Sequence, residues 1–133
     1  MSGAGLLAGR RGLIMGVANN RSIAWGVAKA AAEQGAELAF TFQGEALEKR
    51  VQPLAASVES ELIMPCDVAD DASMDAVFEQ IEKTWGGLDF MVHAIAYADK
   101  DELDGRYVDT TPGNFTRSVD ISCYSFTTLC QRA

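Results

Sequence analysis

Three short polar segments hold the residues best suited to chemistry, and each comes directly after an apolar run. The first segment extends from Gly16 to Gly26 and includes the small residues Ala18 and Ser22, which would let the backbone approach a pyrophosphate closely. It is not a G-x-G-x-x-G fingerprint, because the middle glycine is missing and the loop is longer. The segment indicates a pyrophosphate-binding turn, with an unusually tight strand exit at Gly16 as the alternative.

The second segment bears on the choice between NADH and NADPH. Gln43 follows the apolar run Glu37–Phe42, and its side chain can hydrogen-bond a ribose hydroxyl but cannot neutralise a phosphate. Glu45 lies nearby in the sequence and would repel the additional phosphate of NADP. The pattern favours NADH, and the alternative is that Gln43 is an ordinary solvated turn residue.

The third segment is Asp67-Val68, which follows the run Glu61–Cys66. These two residues would bracket an adenine ring, with the carboxylate accepting a hydrogen bond from the amino group of the base. The alternative is that Asp67 serves as a turn or helix-cap residue. Since the three signals follow three consecutive apolar runs, we interpret them together as one dinucleotide site.

Two further groups of polar residues attract attention but favour structural roles. His93 would suit a general base, yet the sequence identifies no partner that would orient it, so we expect a packed, hydrogen-bonded histidine. Asp99, Asp101, Glu102 and Asp104 lack the spacing and the glycine of an EF-hand loop. We interpret this acidic cluster as a solvated loop, and the sequence predicts no metal site.

Composition sets the class of protein. The chain has 133 residues, of which 48% are hydrophobic and 23% charged, as expected for one globular domain. A net charge of −8 disfavours nucleic acids and anionic membranes as partners. No apolar run reaches membrane-spanning length, and the segment Met1–Arg11 has the wrong charge order for a secretory signal. We therefore expect a cytoplasmic protein whose three cysteines (Cys66, Cys123 and Cys130) are buried free thiols.

Strands and helices are predicted to alternate along the chain. The apolar runs predict strands over 13–17, 37–42, 61–66 and 88–96. The helices are predicted from Ser22 to about Gln34, after Gly44 with Pro53 bending or ending it early, from Asp70 or Asp71 to Gly86-Gly87, and from Thr111-Pro112 onward.

This alternation predicts an α/β fold of the Rossmann-like, doubly wound type with a parallel sheet. Only the first four strands and their flanking helices are accounted for. We expect residues 1–133 to form a single dinucleotide-binding domain that is incomplete at its carboxyl terminus. The fourth strand, apolar on both faces, is then left with an unpaired edge.

Four stretches of the sequence resemble one family. They are Gly16-Val-Ala-x-x-x-Ser-Ile-Ala-x-Gly26, Gly35-Ala-Glu-Leu-Ala-Phe-Thr-Phe-Gln43, Cys66-Asp-Val-Ala-Asp70 and Asp120-Ile-Ser-x-Tyr-Ser-Phe126. Together they are similar to the bacterial NADH-dependent enoyl-(acyl-carrier-protein) reductases, a divergent branch of the short-chain dehydrogenases and reductases. The likeness extends over the chain from about Gly9 onward.

The resemblance implies a role for each candidate residue. It places Gly16, Ser22 and Ile23 at the pyrophosphate and adenosine side, Gln43 at the adenosine ribose, Asp67 and Val68 at the adenine, Ile95 at the nicotinamide ribose, and Ala98, with the backbone of Ala96 and Tyr97, at the acyl pocket. It also implies reduction of the trans-2 double bond of a fatty enoyl thioester carried by acyl carrier protein, with hydride from NADH. A homotetramer is implied for the family.

The catalytic pair of the family is absent. The family uses Tyr-x6-Lys, and ordinary short-chain dehydrogenases use Tyr-x3-Lys, but Tyr97, Tyr107 and Tyr124 are followed by lysine at neither spacing. We therefore expect no catalytic residue in this chain. From this chain alone we expect no reductase activity, at best weak NADH binding because half of the cofactor cleft is missing, and no secure assembly. Two alternatives remain: another short-chain dehydrogenase acting on a hydroxyl or ketone, and a non-catalytic dinucleotide-binding module.

Overall fold

The computed structural model describes residues 5–133, so the first four residues of the segment Met1–Arg11 lie outside it. The strands are β1 (Arg11–Met15), β2 (Glu37–Phe42), β3 (Leu62–Pro65) and β4 (Phe90–His93). The helices are α1 (Ile23–Glu33), α2 (Glu45–Ser57), α3 (Asp71–Trp85), α4 (Pro112–Val119) and α5 (Ser125–Arg132). A π-helical turn (Asp120–Tyr124) joins α4 to α5, and short 3-10 turns occupy Lys100–Glu102 and Tyr107–Asp109.

The four strands form one parallel sheet in the order β3-β2-β1-β4. This order results from two successive crossovers in one direction, followed by a return past β1 to its other side. It confirms the α/β, Rossmann-like fold class. Among the described residues β4 lies at an edge of the sheet, as the sequence predicts.

Helices cover both faces of the sheet. Alternate residues of β1 point to opposite faces, with Ile14 in one core and Leu13 and Met15 in the other. The first core packs under α1 and α2, and the second packs under α3 with Leu129 of α5. Burial on both faces explains why β1 reads as a continuous apolar run rather than an alternating one.

The predicted helix ends are confirmed at α3 and α4. Asp70 caps α3 by accepting a hydrogen bond from the backbone N–H of Ala72 at 3.0 Å, and Gly86 ends this helix in the left-handed conformation. Thr111 caps α4 in the same way. Although α3 is the longest helix at 15 residues, no helix within residues 5–133 is long and apolar enough to cross a membrane.

Two predicted strands are placed differently by the structure. The first strand begins at Arg11 and ends at Met15, because Gly16 has a φ of +105° that breaks the extended backbone. The fourth strand is shorter than the predicted 88–96. Its ladder with β1 ends at the pair Met15 and His93, so Ile95 lies in the loop beyond the strand.

Pro53 neither bends α2 out of the helical conformation nor ends it, since the helix continues to Ser57. Val51 and Ala55 are fully buried on either side of the proline. Their packing under the sheet outweighs the loss of one backbone hydrogen bond, as tertiary contacts commonly outweigh local propensity.

All three cysteines are free thiols, but only Cys66 is buried. Burial raises the pKa of the Cys66 thiol to about 11, which keeps it protonated at neutral pH. Cys123 in the π-helical turn and Cys130 in α5 are exposed, contrary to the prediction, because this helical segment turns a different face, that of Ser125 and Leu129, toward the core.

Candidate cofactor site

The candidate residues follow the carboxyl ends of all four strands. The register pairs Phe42 with Pro65 and Met15 with His93, so the strands end at a common level. Gly16, Gln43, Asp67 and Ile95 come one or two residues after these ends. The chain reverses direction across the sheet between β1 and β4, which is where dinucleotides bind in open α/β sheets.

Gly16 makes the closest backbone approach in this region. A Cβ on Gly16 would lie 2.1 Å from the carbonyl oxygen of Ala94, and its φ of +105° disfavours any other residue. The N–H of Ala94 in turn donates to the carbonyl of Met15 at 3.0 Å. The tight strand exit weighed in the sequence is therefore present, and it holds β1 against the start of the loop after β4.

Ser22 organises the turn after β1. It occupies the N-cap position of α1, but its side chain does not cap the helix as the sequence suggested. Instead Oγ accepts hydrogen bonds from the N–H groups of Ala18 at 2.9 Å and Asn19 at 3.1 Å. The Oδ1 atom of Asn19 also accepts a hydrogen bond from the N–H of Arg21. The turn is thus held by its own side chains.

Ile23 opens α1 and is 85% exposed at this edge of the sheet. The first N–H groups of a helix lack partners within the helix, and they form a favourable position for an anion. Gly26 lies in the next turn, where an added Cβ would meet no atom within 4 Å. The start of α1 therefore offers free donors and open space together.

Gln43 is exposed, whereas Asp67 is half-buried. The Oδ1 atom of Asp67 accepts from the N–H of Ala69 at 2.9 Å, and the backbone N–H of Asp67 donates to Ser73 Oγ at 2.8 Å. Asp67 therefore does serve as a turn residue. Within residues 5–133 its second carboxylate oxygen accepts no hydrogen bond, which leaves an acceptor for a ligand.

Two apolar candidate residues lie between the candidate site and the core of the domain. Val68 and Ile95 are half-buried, and both pack against the core under α3. Ala98 is also half-buried, further along the loop after β4. The side chains of Val68 and Ile95 thus connect the candidate site to the core of the domain.

His93 is packed and hydrogen-bonded, as predicted, and the structure supplies its partner. Its Nε2 lies 2.7 Å from Ser125 Oγ, and the ring meets Phe126 edge-on at 5.6 Å between centroids. The Ser125 hydroxyl donates its proton to the carbonyl of Ile121 at 2.6 Å. Ser125 can then only accept from His93, so the neutral imidazole carries its proton on Nε2. Burial lowers the pKa of His93, which favours that neutral form.

A family model described as enoyl-(acyl carrier protein) reductase matches residues 16–133, which include every candidate residue of this site. This chain belongs to the enoyl-(acyl carrier protein) reductase family. The match begins at Gly16, where β1 meets the loop after β4.

Three relatives illustrate the likeness of this family member to known proteins. The NADH-type enoyl-(acyl-carrier-protein) reductase 2 of Rhizobium meliloti (strain 1021) is 63% identical over 129 residues, which cover 97% of this chain and 48% of the relative. A crystal structure of the reductase from Anaplasma phagocytophilum in complex with NAD matches with a TM-score of 0.93 and 53% identity, over 97% of this chain and 49% of that one. The Bacillus cereus reductase, crystallised with NADP+ and an indole naphthyridinone, matches with a TM-score of 0.93 and 42% identity, over 97% of this chain and 51% of that one. The chain thus spans about half the length of the relatives it matches.

Sequence reasoning missed one set of residues in this member of the reductase family. The loop after β4 is held by small polar side chains of the helical segment that follows it, above all by Ser122 and Asn114. The acidic cluster is partly involved, since Asp99 pairs with Arg117 and Glu102 accepts from Thr111. The signal was the spacing of these small polar residues at three or four positions along a predicted helix.

A large groove lies elsewhere. It has a volume of about 860 Å³ and lies at the other end of the strands from the candidate site. There it borders the amino-terminal ends of β2 and β3, near Glu37 and Leu62. No candidate residue borders it. The position of the candidate site therefore follows from strand topology and backbone geometry, not from the size of a cavity.

Proposed function

We propose that this chain forms the NADH-binding part of an enoyl-(acyl-carrier-protein) reductase, which reduces the trans-2 double bond of fatty enoyl thioesters in fatty acid biosynthesis. The observation that carries the proposal is that Gly16, Gln43, Asp67 and Ile95 all follow the carboxyl ends of the strands, beside the open start of α1. The NADH named for the Rhizobium relative and the NAD bound to the Anaplasma relative support this choice of cofactor.

The donors and acceptors present fit a dinucleotide. The backbone between Gly16 and Ile23, with Ser22 shaping the turn, would hold the pyrophosphate. Gln43 would bind the adenosine ribose, and the free carboxylate oxygen of Asp67 would accept from the adenine amino group, against the side chain of Val68. The closeness of Gly16 to Ala94 is a backbone arrangement that any side chain would obstruct.

The opposite end of the cofactor would lie against the loop after β4. Ile95 would contact the nicotinamide ribose, and Ala98, with the Tyr97 backbone, would border the acyl pocket. When bound, NADH supplies the hydride that reduces C3 of the enoyl group. The residues of this chain would bind and orient the reactants. Ile95, an apolar side chain that packs against the core, would also help to exclude water from the nicotinamide end.

We propose that this chain does not contain the groups that stabilise the negative charge developing on the thioester carbonyl oxygen during reduction. None of its three tyrosines is followed by lysine at the spacing that the family or the ordinary short-chain dehydrogenases use. Stabilising the oxyanion that develops is the main catalytic demand of such a reaction. We therefore expect the 133-residue polypeptide to reduce no crotonyl thioester at a measurable rate. Measurable turnover would show that the catalytic groups lie within it.

We also propose that the whole enzyme is cytoplasmic and forms a homotetramer through the helix that starts at Thr111-Pro112 and the helix after it. Phe115, Val119 and Phe126 are exposed along the helical segment that contains α4 and α5. Exposed apolar side chains in a row are typical of surfaces that a partner covers. The negative charge of the chain supports the absence of nucleic-acid and membrane partners.

Titration of the purified chain with NADH and NADPH, followed by nucleotide fluorescence, tests the cofactor assignment. We expect NADH to bind and NADPH to bind more weakly, because Glu45 would repel the additional phosphate. Gln43→Ala should weaken NADH binding about threefold to tenfold through the lost ribose hydrogen bond. Gln52→Ala is the matched control, since Gln52 bonds only Glu48 on the surface of α2.

Two results would count against the assignment. Equal binding of NADPH and NADH would overturn the cofactor preference, and the NADP+ in the Bacillus relative makes this comparison worth measuring. Absence of binding by either nucleotide would overturn the cofactor site in this chain.

A further inference from the structure

The loop after β4 leaves the sheet before it reaches the residues proposed to contact the nicotinamide. The β4 ladder ends at His93, and among the described residues no strand pairs with the chain beyond Ala94. We call residues 94–98 the β4 exit. An unpaired extended segment has backbone N–H and C=O groups that need other partners.

A row of small polar residues lies beside this part of the chain and supplies partners for the backbone of Tyr97 and Asp99. Thr111, Asn114, Ser118, Ser122 and Ser125 recur at intervals of three, four, four and three residues along the continuous helical segment from α4 to α5. Residues at these intervals lie along one side of a helix. Four of them contact the chain around the β4 exit in reverse order: Thr111 with Glu102, Asn114 with Asp99, Ser122 with Tyr97, and Ser125 with His93. We call these four residues the polar seam.

Ser122 makes the most complete contact of the polar seam. Its Oγ accepts a hydrogen bond from the N–H of Tyr97 at 2.9 Å and donates one to the C=O of the same residue at 3.2 Å. This pair of bonds satisfies both backbone groups of Tyr97, as a neighbouring strand would. One hydroxyl therefore replaces a missing strand at the centre of the β4 exit.

The contacts on either side limit how far this part of the chain can move. On one side His93 donates to Ser125, which is fully buried. On the other, the N–H of Asp99 donates to Asn114 Oδ1 at 2.8 Å, and the Asp99 carboxylate pairs with Arg117. Hydrogen bonds to Arg117 lower the pKa of Asp99, so this pair persists well below neutral pH.

The π-helical turn places Ser122 at this point. It spans Asp120–Tyr124, directly between α4 and α5, and contains Ser122 at its centre. Single π-helical turns within α-helices are rare and occur frequently at functional sites. The turn is therefore an independent sign that the position of Ser122 matters beyond helix stability.

We propose that Ser122 is a positioning residue of the cofactor site, whose hydroxyl holds the Tyr97 peptide and thereby keeps Ile95 and Ala98 in place beside the nicotinamide end of the dinucleotide. The inference rests on the proposed function, because that function brings a nicotinamide to the β4 exit.

The test compares Ser122→Ala with Ser122→Thr and with Ser118→Ala. Threonine retains the hydroxyl. Ser118 lies in the same row, but within residues 5–133 its hydroxyl hydrogen-bonds only Asn114 Oδ1, at 3.3 Å, and makes no hydrogen bond to the β4 exit. Two quantities are measured on the full 133-residue chain. The first is hydrogen exchange at the Tyr97 amide, and the second is the ratio of affinities for NADH and for ADP-ribose, which lacks the nicotinamide.

We expect Ser122→Ala to speed exchange at the Tyr97 amide about tenfold and to weaken NADH binding about fivefold to tenfold, with ADP-ribose binding unchanged. Ser122→Thr should restore both quantities, and Ser118→Ala should leave both at the wild-type value. A general loss of stability would affect both ligands alike, so a change in their ratio identifies positioning of the nicotinamide end.

Three results would overturn the inference. The first is a Ser122→Ala variant whose ratio of NADH affinity to ADP-ribose affinity equals that of the wild type. The second is a Ser118→Ala variant that changes this ratio as much as Ser122→Ala does. The third is exchange of the Tyr97 amide that stays slow in Ser122→Ala. If the wild-type chain bound ADP-ribose but gained nothing from the nicotinamide, the role of Ser122 toward the cofactor would be wrong although the adenosine half of the site stood. If it bound neither ligand, the proposed function itself would fail, and the amide exchange alone would decide whether Ser122 holds the loop.

Discussion

The two ends of the candidate site are held in opposite ways. The turn after β1 is stabilised by its own residues: Ser22 bonds backbone groups three and four positions away, and Asn19 bonds a group two positions away. The end of β4 and the loop after it are held by a distant helical segment, through contacts 15, 25 and 32 residues apart in the chain.

This difference has a mechanical consequence. A locally bonded turn keeps its shape whenever the short segment is intact, so we expect the turn after β1, which we propose for the adenosine half of the cofactor, to be rigid in itself. The loop after β4, which we propose for the nicotinamide half, depends on how α4 and α5 pack beside the sheet, so any change in that packing should reach it. The two regions meet at Gly16, whose backbone lies against Ala94.

The largest expected effect is at that meeting point. Gly16→Ala would force a Cβ to within 2.1 Å of the Ala94 carbonyl oxygen and would strain a backbone with a φ of +105°. We expect the free energy of unfolding to fall by about 3 kcal/mol or more in urea denaturation. Gly26→Ala is the matched control within α1, where an added Cβ meets nothing and should stabilise by about 0.5–1 kcal/mol. Equal effects of the two substitutions would refute the close contact.

A smaller effect is expected for the local turn. Ser22→Ala removes the acceptor of two backbone N–H groups, which should lower the free energy of unfolding by about 1–2 kcal/mol. Because this turn would shape the pyrophosphate site, affinities for NADH and ADP-ribose should fall together, unlike in Ser122→Ala.

Ser57→Ala provides the comparison for Ser22→Ala. The Ser57 hydroxyl makes one exposed bond to the carbonyl of Leu54 near the end of α2, so we expect a change of less than about 0.5 kcal/mol. A selective loss of NADH binding in Ser22→Ala would mean that the two ends of the site are not independent.

The smallest effect concerns pH and His93, the single histidine of the chain. Burial lowers its pKa in the folded state below 6.5, so the unfolded chain takes up a proton first as the pH falls. The contribution of His93 to stability is therefore intact above pH 6.5 and declines below it. His93→Gln should remove this decline when urea midpoints are compared on either side of pH 6.5, while the carboxylates titrate alike in both proteins. Parallel pH profiles would contradict the buried, neutral imidazole.

The fold and the position of the polar residues after each strand could be predicted because their signals are local. Apolar runs alternate with helical patterns, Asp70 and Thr111 cap the helices, and Gly86 ends one. Each of these depends on residue type and on neighbours within one helical turn. The errors arose at element ends, such as the early end of β4 and the continuation of α2 through Pro53, where packing against other elements outweighs local preference.

The sequence by itself determined a parallel α/β sheet and the polar residues that follow its strands, because periodicity and turn chemistry act over a few residues. Only the tertiary structure decided that Ser122 faces Tyr97, that Ser125 faces His93, and that Gly16 lies against Ala94. The physical reason is that a serine hydroxyl can bond many partners, and its choice depends on which segment the packing of the layers brings within about 3 Å of it.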